Sequence, residues 1–374
     1  MRFRRSRHLV CYWASGQLVY ENYATGARLG GSPLACQILD FFDRWRTAEA
    51  LVRQCPAFQP ASLRQAIAAL ARHSLLERSD RPGNPKERVM ESWKHWNPGA
   101  GFLHFSTKDT PLTPDVEAAE RRWLERASKR PKPAPVKRYP RARKVQLPTP
   151  QAEGEFPQVL LARRTWRRFS ARPLDLHTLA TLLGLSWGVQ KWLTLPGLGR
   201  MPLKTFPSGG ARHPLELYVL ALRVKGLPRG LYHYAADGHQ LELLHLGATA
   251  RQVERYLPSQ GWYGSASALL VMTAVFGRTQ WRYEHARAYR VVLAEAGHAC
   301  QTLCLTATWL GLAPFCTMAF ADSEIEKDLG VDGITESALY VAGVGTRPPR
   351  TDWAPWPTRW RVPAGTARVR PVKR

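Results

Sequence analysis

Short runs of alternating apolar and polar positions open the chain. Leu9-Val10-Cys11-Tyr12-Trp13 and Gln17-Leu18-Val19-Tyr20 flank Ser15-Gly16 and predict two strands joined by a turn. A third extended run is expected near Ala27-Arg28-Leu29. The period then changes: Leu34, Ile38, Leu39 and Phe42 recur at helical spacing behind Ser32, a residue suited to capping. Thr47 is placed to cap a second helix carrying Leu51. Ser62 is read as the start of a third, with Leu63, Ile67, Leu70 and Ala71 on one side. Leu75-Leu76-Glu77 reads as a closing strand. Over 81–150 the pattern is mixed, with Trp93, Trp96, Phe102, His104 and Phe105 marking an ordered stretch that must pack on something. From Arg126 to Pro150 the chain turns basic and proline-rich, the composition of an extended, solvated linker.

Residues 151–346 carry the longest series of elements. Helical periodicity is expected over Leu174–Gly184, and strands over Leu215–Leu222, Leu231–Tyr234 and Ala268–Phe276. A long helix is expected from about Glu284 to Leu310, and a last strand over Ala338–Val344. Helices and strands intermix, so the fold class is α+β. Residues 347–374 form a basic tail rich in proline and tryptophan, with Trp353, Trp356 and Trp360 at a spacing that argues for packing.

Composition narrows the class. With 44% hydrophobic and 10% aromatic residues in 374, a sizeable core can be buried. No apolar run is long enough to cross a bilayer, and no signal-peptide core follows the basic start, so a cytoplasmic protein is expected. The formal net charge is +25. Much of it falls in 126–147 and 347–374 rather than on one folded face, which weakens a nucleic-acid reading and leaves acidic peptides or phosphates as partners. The cysteines show no CxxC pair. Cys300 and Cys304 share a predicted helix face at i,i+4, but the stretch is apolar and offers no obvious third or fourth ligand. They read as core residues, and no metal site is expected.

Three clusters carry chemistry. Arg163-Arg164-Thr165-Trp166-Arg167-Arg168 gathers donors and positive charge as a phosphate requires, although a solvated basic face has the same composition. Pro207-Ser208-Gly209-Gly210, before the run Leu215–Val219, lets backbone approach a flat ring, with Ser208 and free amides facing its polar edge; a plain tight loop is the alternative. Trp281-Arg282-Tyr283 puts a cation beside a tyrosine, an arrangement for a general base or acid, or simply an aromatic belt at a helix start. His298, inside an apolar helical run, reads as a satisfied core histidine.

Two resemblances follow from these residues. The strands, helices and short strand of 1–80 resemble a winged-helix-like peptide-recognition domain of the kind attached to enzymes that modify ribosomal peptides. DNA binding is the competing role, which the alanine-rich, cation-poor helix over Arg64–Arg72 suits badly. From Arg163 to Gly345 the chain resembles the nitroreductase superfamily, and within it the SagB-type azoline dehydrogenases. The landmarks are Arg163-Arg164-Thr165-Trp166-Arg167, Pro207-Ser208-Gly209-Gly210, Gly230-Leu231-Tyr232-His233-Tyr234, Arg282-Tyr283, Tyr289-Arg290, Glu295-Ala296-Gly297-His298, Leu310-Gly311-Leu312 and Val344-Gly345. The resemblance implies a central antiparallel sheet flanked by helices, an intertwined homodimer, and FMN at the subunit interface. Arg163, Arg164, Thr165 and Arg167 would hold its phosphate and ribityl chain, with Arg347 returning to the phosphate. Pro207, Ser208, Gly209 and Gly210 would lie along the ring, and Met318 and Ala319 would approach its opposite part. One departure stands out: the branch has a Lys-Tyr pair where this chain has Arg282-Tyr283, and arginine stays protonated, so it stabilises a tyrosinate or oxyanion rather than acting as base.

The function implied is an FMN-dependent oxidoreductase that dehydrogenates a ribosomally made precursor peptide, azoline to azole, with Tyr283 as base. A cyclodehydratase complex is the partner typical of that branch. The alternatives are an NAD(P)H-dependent nitro or quinone reductase and a non-catalytic scaffold or winged-helix binding protein.

Overall fold

A computed structural model describes residues 1–113, 115–129, 134–137, 141–142, 147–148, 153–197 and 199–349. The N-terminal elements are β1 (Phe3–Arg5), β2 (Leu9–Ala14), β3 (Gln17–Asn22), β4 (Ala27–Gly30), α1 (Pro33–Phe41), α2 (Ala48–Gln54), α3 (Pro60–Arg72) and β5 (Leu76–Arg78). The Ser32 and Thr47 side chains accept from the Ala35 and Ala50 amides, as their capping positions require. The third helix starts earlier than expected: Pro60 occupies its first turn, where its fixed φ suits helix entry, and Ser62 lies inside. β2-β3-β4 form one small sheet, and β1 pairs antiparallel with β5. Phe3, Ile38, Phe42, Leu51, Ile67 and Leu75 pack in an apolar cluster of their own.

The connecting stretch is more structured than a linker. It holds α4 (Pro85–Val89), α5 (Gly99–Thr107) and α6 (Val116–Ser128), so the expected extended linker begins as helix; most of 130–152 lies outside the described residues. Trp93 and Trp96 are fully buried in the main core. Their indole N–H groups donate to the carbonyls of Ile334 (2.8 Å) and Tyr283 (3.0 Å). His104 bonds the Tyr289 hydroxyl (2.9 Å) and the Gly333 carbonyl (3.2 Å). A Lys108–Glu326 ion pair closes the same seam. The aromatic residues of 93–105 therefore strap this segment onto the last 200 residues.

There the order is α7 (Glu155–Ala162), β6 (Leu174–Asp175), α8 (Leu176–Trp187), β7 (Lys191–Leu195), β8 (Gly199–Leu203), β9 (Leu215–Ala221), β10 (Val224–Lys225), β11 (Gly230–Ala235), β12 (Gln240–Leu246), α9 (Ala250–Tyr256), β13 (Ala268–Val275), α10 (Phe276–Gln280), α11 (Ala288–Trp309), β14 (Leu312–Thr317), α12 (Asp322–Leu329) and β15 (Glu336–Thr346). A sheet of order β12-β11-β9-β13-β15-β14 is antiparallel at every pairing. One face packs on α8 and α11 around Leu217, Val219, Leu270 and Leu303; the other carries Leu220, Leu269, Val271 and Ile325. The α+β class holds: a central antiparallel sheet flanked by helices. The long helix begins at Ala288 rather than Glu284, after the separate turn of α10. His298 points outward and is exposed: on a 100° helical step the inward face of α11 falls to Glu295, Ala296, Ala299 and Cys300. The calls on Trp353, Trp356 and Trp360 lie outside the described residues.

Candidate functional site

Pro207–Gly210 lies between the β7–β8 hairpin and β9, and presses against the start of α11. A Cβ on Gly209 would come within 2.6 Å of Val291 Cγ1. Gly210 has φ +62°, and a Cβ there would lie 2.7 Å from Tyr283 Oη and 2.9 Å from Arg282 Nε. Only glycine serves at 210 on both counts. Ala211 (φ 53°) and His213 (φ 41°) continue the left-handed backbone. Such residues cost on the order of 1–3 kcal/mol each, so the surroundings must hold them. Ser208 does much of this: its Oγ accepts from the His213 amide (2.8 Å), and its carbonyl accepts from Ala211 N (3.1 Å). Arg278 donates to the His213 carbonyl (3.1 Å).

Glu295 is buried on α11 beside the loop, and its Oε1 and the facing His213 Nδ1 are without hydrogen-bond partners among the described residues. Burial lifts its carboxyl to about 7, against the pull of Ser208, Lys204 and the Gly209 amide. His213 Nδ1 lies 3.6 Å from Glu295 Oε1, and burial beside Lys204 and Arg278 pushes its ring down to about 4. Lys204 is brought down to about 8 by burial, with Glu216 and Glu295 pulling the other way. It lines a cavity of about 560 Å³ with Arg212, His213, His233, Arg278 and Trp281. In the same cavity His233 donates hydrogen bonds to Glu216 and Glu242, which raise it to about 9. Neither the placement of Glu295 beside the loop nor that of Lys204 was read from the sequence, since both depend on side chains distant in the chain; the signal present was an isolated lysine three residues before Pro207 and the Glu295 landmark.

The arginine cluster is built at the other end of α11. Residues 163–170 run extended: Trp166 N donates to Pro314 O (2.9 Å), and Ser170 N to Thr346 O (2.9 Å). Trp166 turns inward while Arg163, Arg164 and Thr165 stay half-buried. Arg347 donates to the carbonyls of Leu312 (2.9 Å) and Thr308 (3.0 Å) and stands 5.6 Å over the Trp166 ring. Burial and the neighbouring charges of Arg347 and Arg163 make Arg164 easier to deprotonate than usual. Gathering three guanidinium groups is the arrangement an anion would stabilise. Arg167 is exposed, and its charge reaches Tyr263 instead.

Met318 and Ala319 follow β14. Met318 is exposed, and Ala319 is tied through Thr317 and Gln260. They border a cavity of about 250 Å³ with Tyr289, Leu293 and His104. Val291 and Leu293 stand two residues apart on α11, so this cavity and the glycine loop lie on opposite faces of the helix. One chain thus brings Pro207–Gly210 to Arg282–Tyr283, and Arg163–Thr165 to Arg347, but leaves these groups and Met318–Ala319 apart. From Val291 to Thr308 the helix rises about 25 Å.

A third cysteine, Cys316 on β14, joins Cys300 and Cys304: their sulfurs all lie within 4.8 Å of one another. The sequence reading saw only the helical pair, because Cys316 comes from the strand that packs against it.

An antiparallel sheet wrapped on a long central helix, entered by an arginine-bearing extended segment and left by an arginine after the last strand, defines the class of domain. The Nitroreductase family model matches residues 160–346, half of the chain, and the chain belongs to that family, whose members generally bind FMN. It is 32% identical over 203 residues to the protein MJ1384 of Methanocaldococcus jannaschii, named as a nitroreductase, covering 54% of this chain and 96% of that one. It is 30% identical to the trifolitoxin-processing protein TfxB of Rhizobium leguminosarum, over 44% of this chain and 46% of TfxB. It is 29% identical to the microcin B17-processing protein McbC of Escherichia coli, over 40% of this chain and 56% of McbC. The chain thus spans about half the length of the two processing proteins.

Proposed function

We propose that the protein is an FMN-dependent oxidoreductase that dehydrogenates a ribosomally made peptide, with azoline-to-azole oxidation as the reaction. The observation that carries this reading is the placement of the Tyr283 hydroxyl over the backbone of Gly210, beside Arg282, where a side chain on the loop would collide with it. A tyrosine beside a cation on a bare glycine ledge suits proton removal from a flat substrate ring. The names of the two processing relatives support a peptide substrate.

The donors fit the cofactor. Arg163, Arg164, Thr165 and Arg347 would hold the phosphate end, and the backbone of Pro207–Gly210 the ring, with Ser208 occupied in bracing the loop. Met318 and Ala319 would meet the ring's other part, and Arg167 the ribityl chain. FMN supplies hydride acceptance and reoxidation by oxygen. The chain's own residues do the rest: Tyr283 takes the ring proton, Arg282 stabilises the phenolate, and Ser208 with Arg278 holds the loop in place. The separation of the glycine loop from Arg347 along α11 exceeds the span of one FMN, which supports a homodimer in which one chain supplies the ledge and the other the arginines. Exposed apolar residues along α11 and α7 (Val291, Trp309, Phe156 and Leu160) suit that contact.

Residues 1–80 would hold the precursor's leader as an added strand. β2 is an edge strand of its small sheet, and the groove beside it carries Arg4, Arg5, Arg7 and Arg44 against Asp40 and Asp43, a basic excess that suits an acidic peptide. Tethering would raise the local concentration of the segment to be oxidised, and a cyclodehydratase would supply its azolines.

Replacing Tyr283 by Phe tests the assignment: turnover of an azoline peptide should be lost while flavin stays bound. A Tyr283→Phe protein that oxidises the peptide normally removes Tyr283 from the mechanism. The near-complete coverage of the archaeal relative favours a second reading, a reductase driven by NAD(P)H. Rapid bleaching of the flavin by NADPH without peptide would select it.

A further inference from the structure

We propose that Cys300, Cys304 and Cys316 form a binding site for one thiophilic divalent metal ion, zinc in the first instance, with a fourth position left open. The inference does not depend on the flavin reading. Cys300 and Cys304 stand one turn apart on the same face of α11, each 3% exposed. Cys316 comes from β14, which packs on that face, and is half-buried. Two rigid elements therefore present three sulfurs to one point, all within 4.8 Å of one another. Tetrahedral zinc with bonds of about 2.3 Å sets sulfurs roughly 3.8 Å apart, so small χ1 rotations close the site.

The surroundings match the charge of such a site. Three thiolates and a divalent ion leave one negative charge, and the Arg163 guanidinium acts on both Cys304 and Cys316. The Tyr340 side chain neighbours Cys316, where an outer partner of a metal ligand would stand. A set made only of sulfur selects zinc or another soft ion over magnesium or calcium. Among the described residues no histidine or carboxylate joins the group, so the fourth position falls to water or an added ligand on the accessible Cys316 side. Binding exchanges three S–H protons for three S–Zn bonds and releases those protons, with no oxidation or reduction.

The full-length protein, purified in reductant and stripped with chelator, would be titrated with cobalt(II), whose thiolate complexes absorb visibly. The expected result is one cobalt per chain with thiolate-to-metal charge-transfer bands, displaced by zinc. Cys316→Ser should weaken cobalt binding about tenfold or more. Cys55→Ser, in the N-terminal region, should bind as the parent does. Cys316 is half-buried and the change nearly isosteric, so that variant keeps its fold even where Cys300→Ser fails. Reduced protein without charge-transfer bands, equal binding by parent and Cys316→Ser, or a disulfide among the three thiols under reductant would each overturn the site.

Discussion

Gly210 joins backbone freedom to a close approach: a positive φ and a hydroxyl 2.7 Å from where its Cβ would be. Gly210→Ala should lower stability by about 1–3 kcal/mol in urea unfolding and displace Tyr283, cutting turnover by about 100-fold. Full activity in that variant would show that the ledge is dispensable. Glu295 adds a pH signature. Its folded carboxyl is raised to about 7 from 4.5, so between those values the folded chain holds a proton the unfolded chain has released. Its contribution is full below 4.5 and is lost as pH rises through 7. His213, lowered to about 4 from 6.5, acts oppositely: its contribution is present above 6.5 and is lost as pH falls through 4. Glu295→Gln removes only the first, so its Tm should gain on the parent as pH rises from about 5 to 8. Parallel Tm curves would show that the carboxyl does not titrate there. Pro207–Gly210 and Arg282–Tyr283 were legible because each is a contiguous run. The brace of Ser208, His213 and Arg278, and Glu295 buried beside it, were not, since they join residues 208 to 295 through the fold.

At the scale of elements, α11 organises the domain, with the glycine loop at its start and the arginines at its end. Its existence was plain from a long helical period. Its start was placed four residues early, at Glu284, because 285–287 form a bend and turn ahead of Ala288 that periodicity does not distinguish from a first helical turn. The strands of the central sheet were read where they are buried on both faces, as β9 and β13 are. The hairpin β7–β8 and the strand β12 were missed, because their side chains are largely exposed and their pattern carries no core-facing alternation. β14 was missed although largely buried, because its apolar run follows that of the long helix with only Leu310-Gly311 between them. The aromatic strap between 93 and 105 was expected to pack, but its target could not be read from composition. Trp93→Ala removes a fully buried indole and its bond to Ile334, and should cost about 3–5 kcal/mol in urea unfolding. A loss below 1 kcal/mol would mean that the strap is not part of the cooperative core.

For the whole molecule, a separately clustered N-terminal unit stands beside a nitroreductase domain whose glycine loop and arginine cluster lie at opposite ends of one helix. Arg164→Gln should weaken FMN binding about tenfold or more, read by fluorescence titration of the flavin-free protein. Unchanged affinity would move the phosphate elsewhere. The basic composition was plain from the sequence, yet the meeting of Arg4, Arg5, Arg7 and Arg44 in a groove beside β2 needed the fold. The measurement that tests the account most directly is the visible absorption spectrum of the purified protein, with mass identification of any released cofactor. The account predicts flavin bands and FMN. A protein that is colourless, and stays so after incubation with FMN, would contradict it and leave a binding or scaffold role.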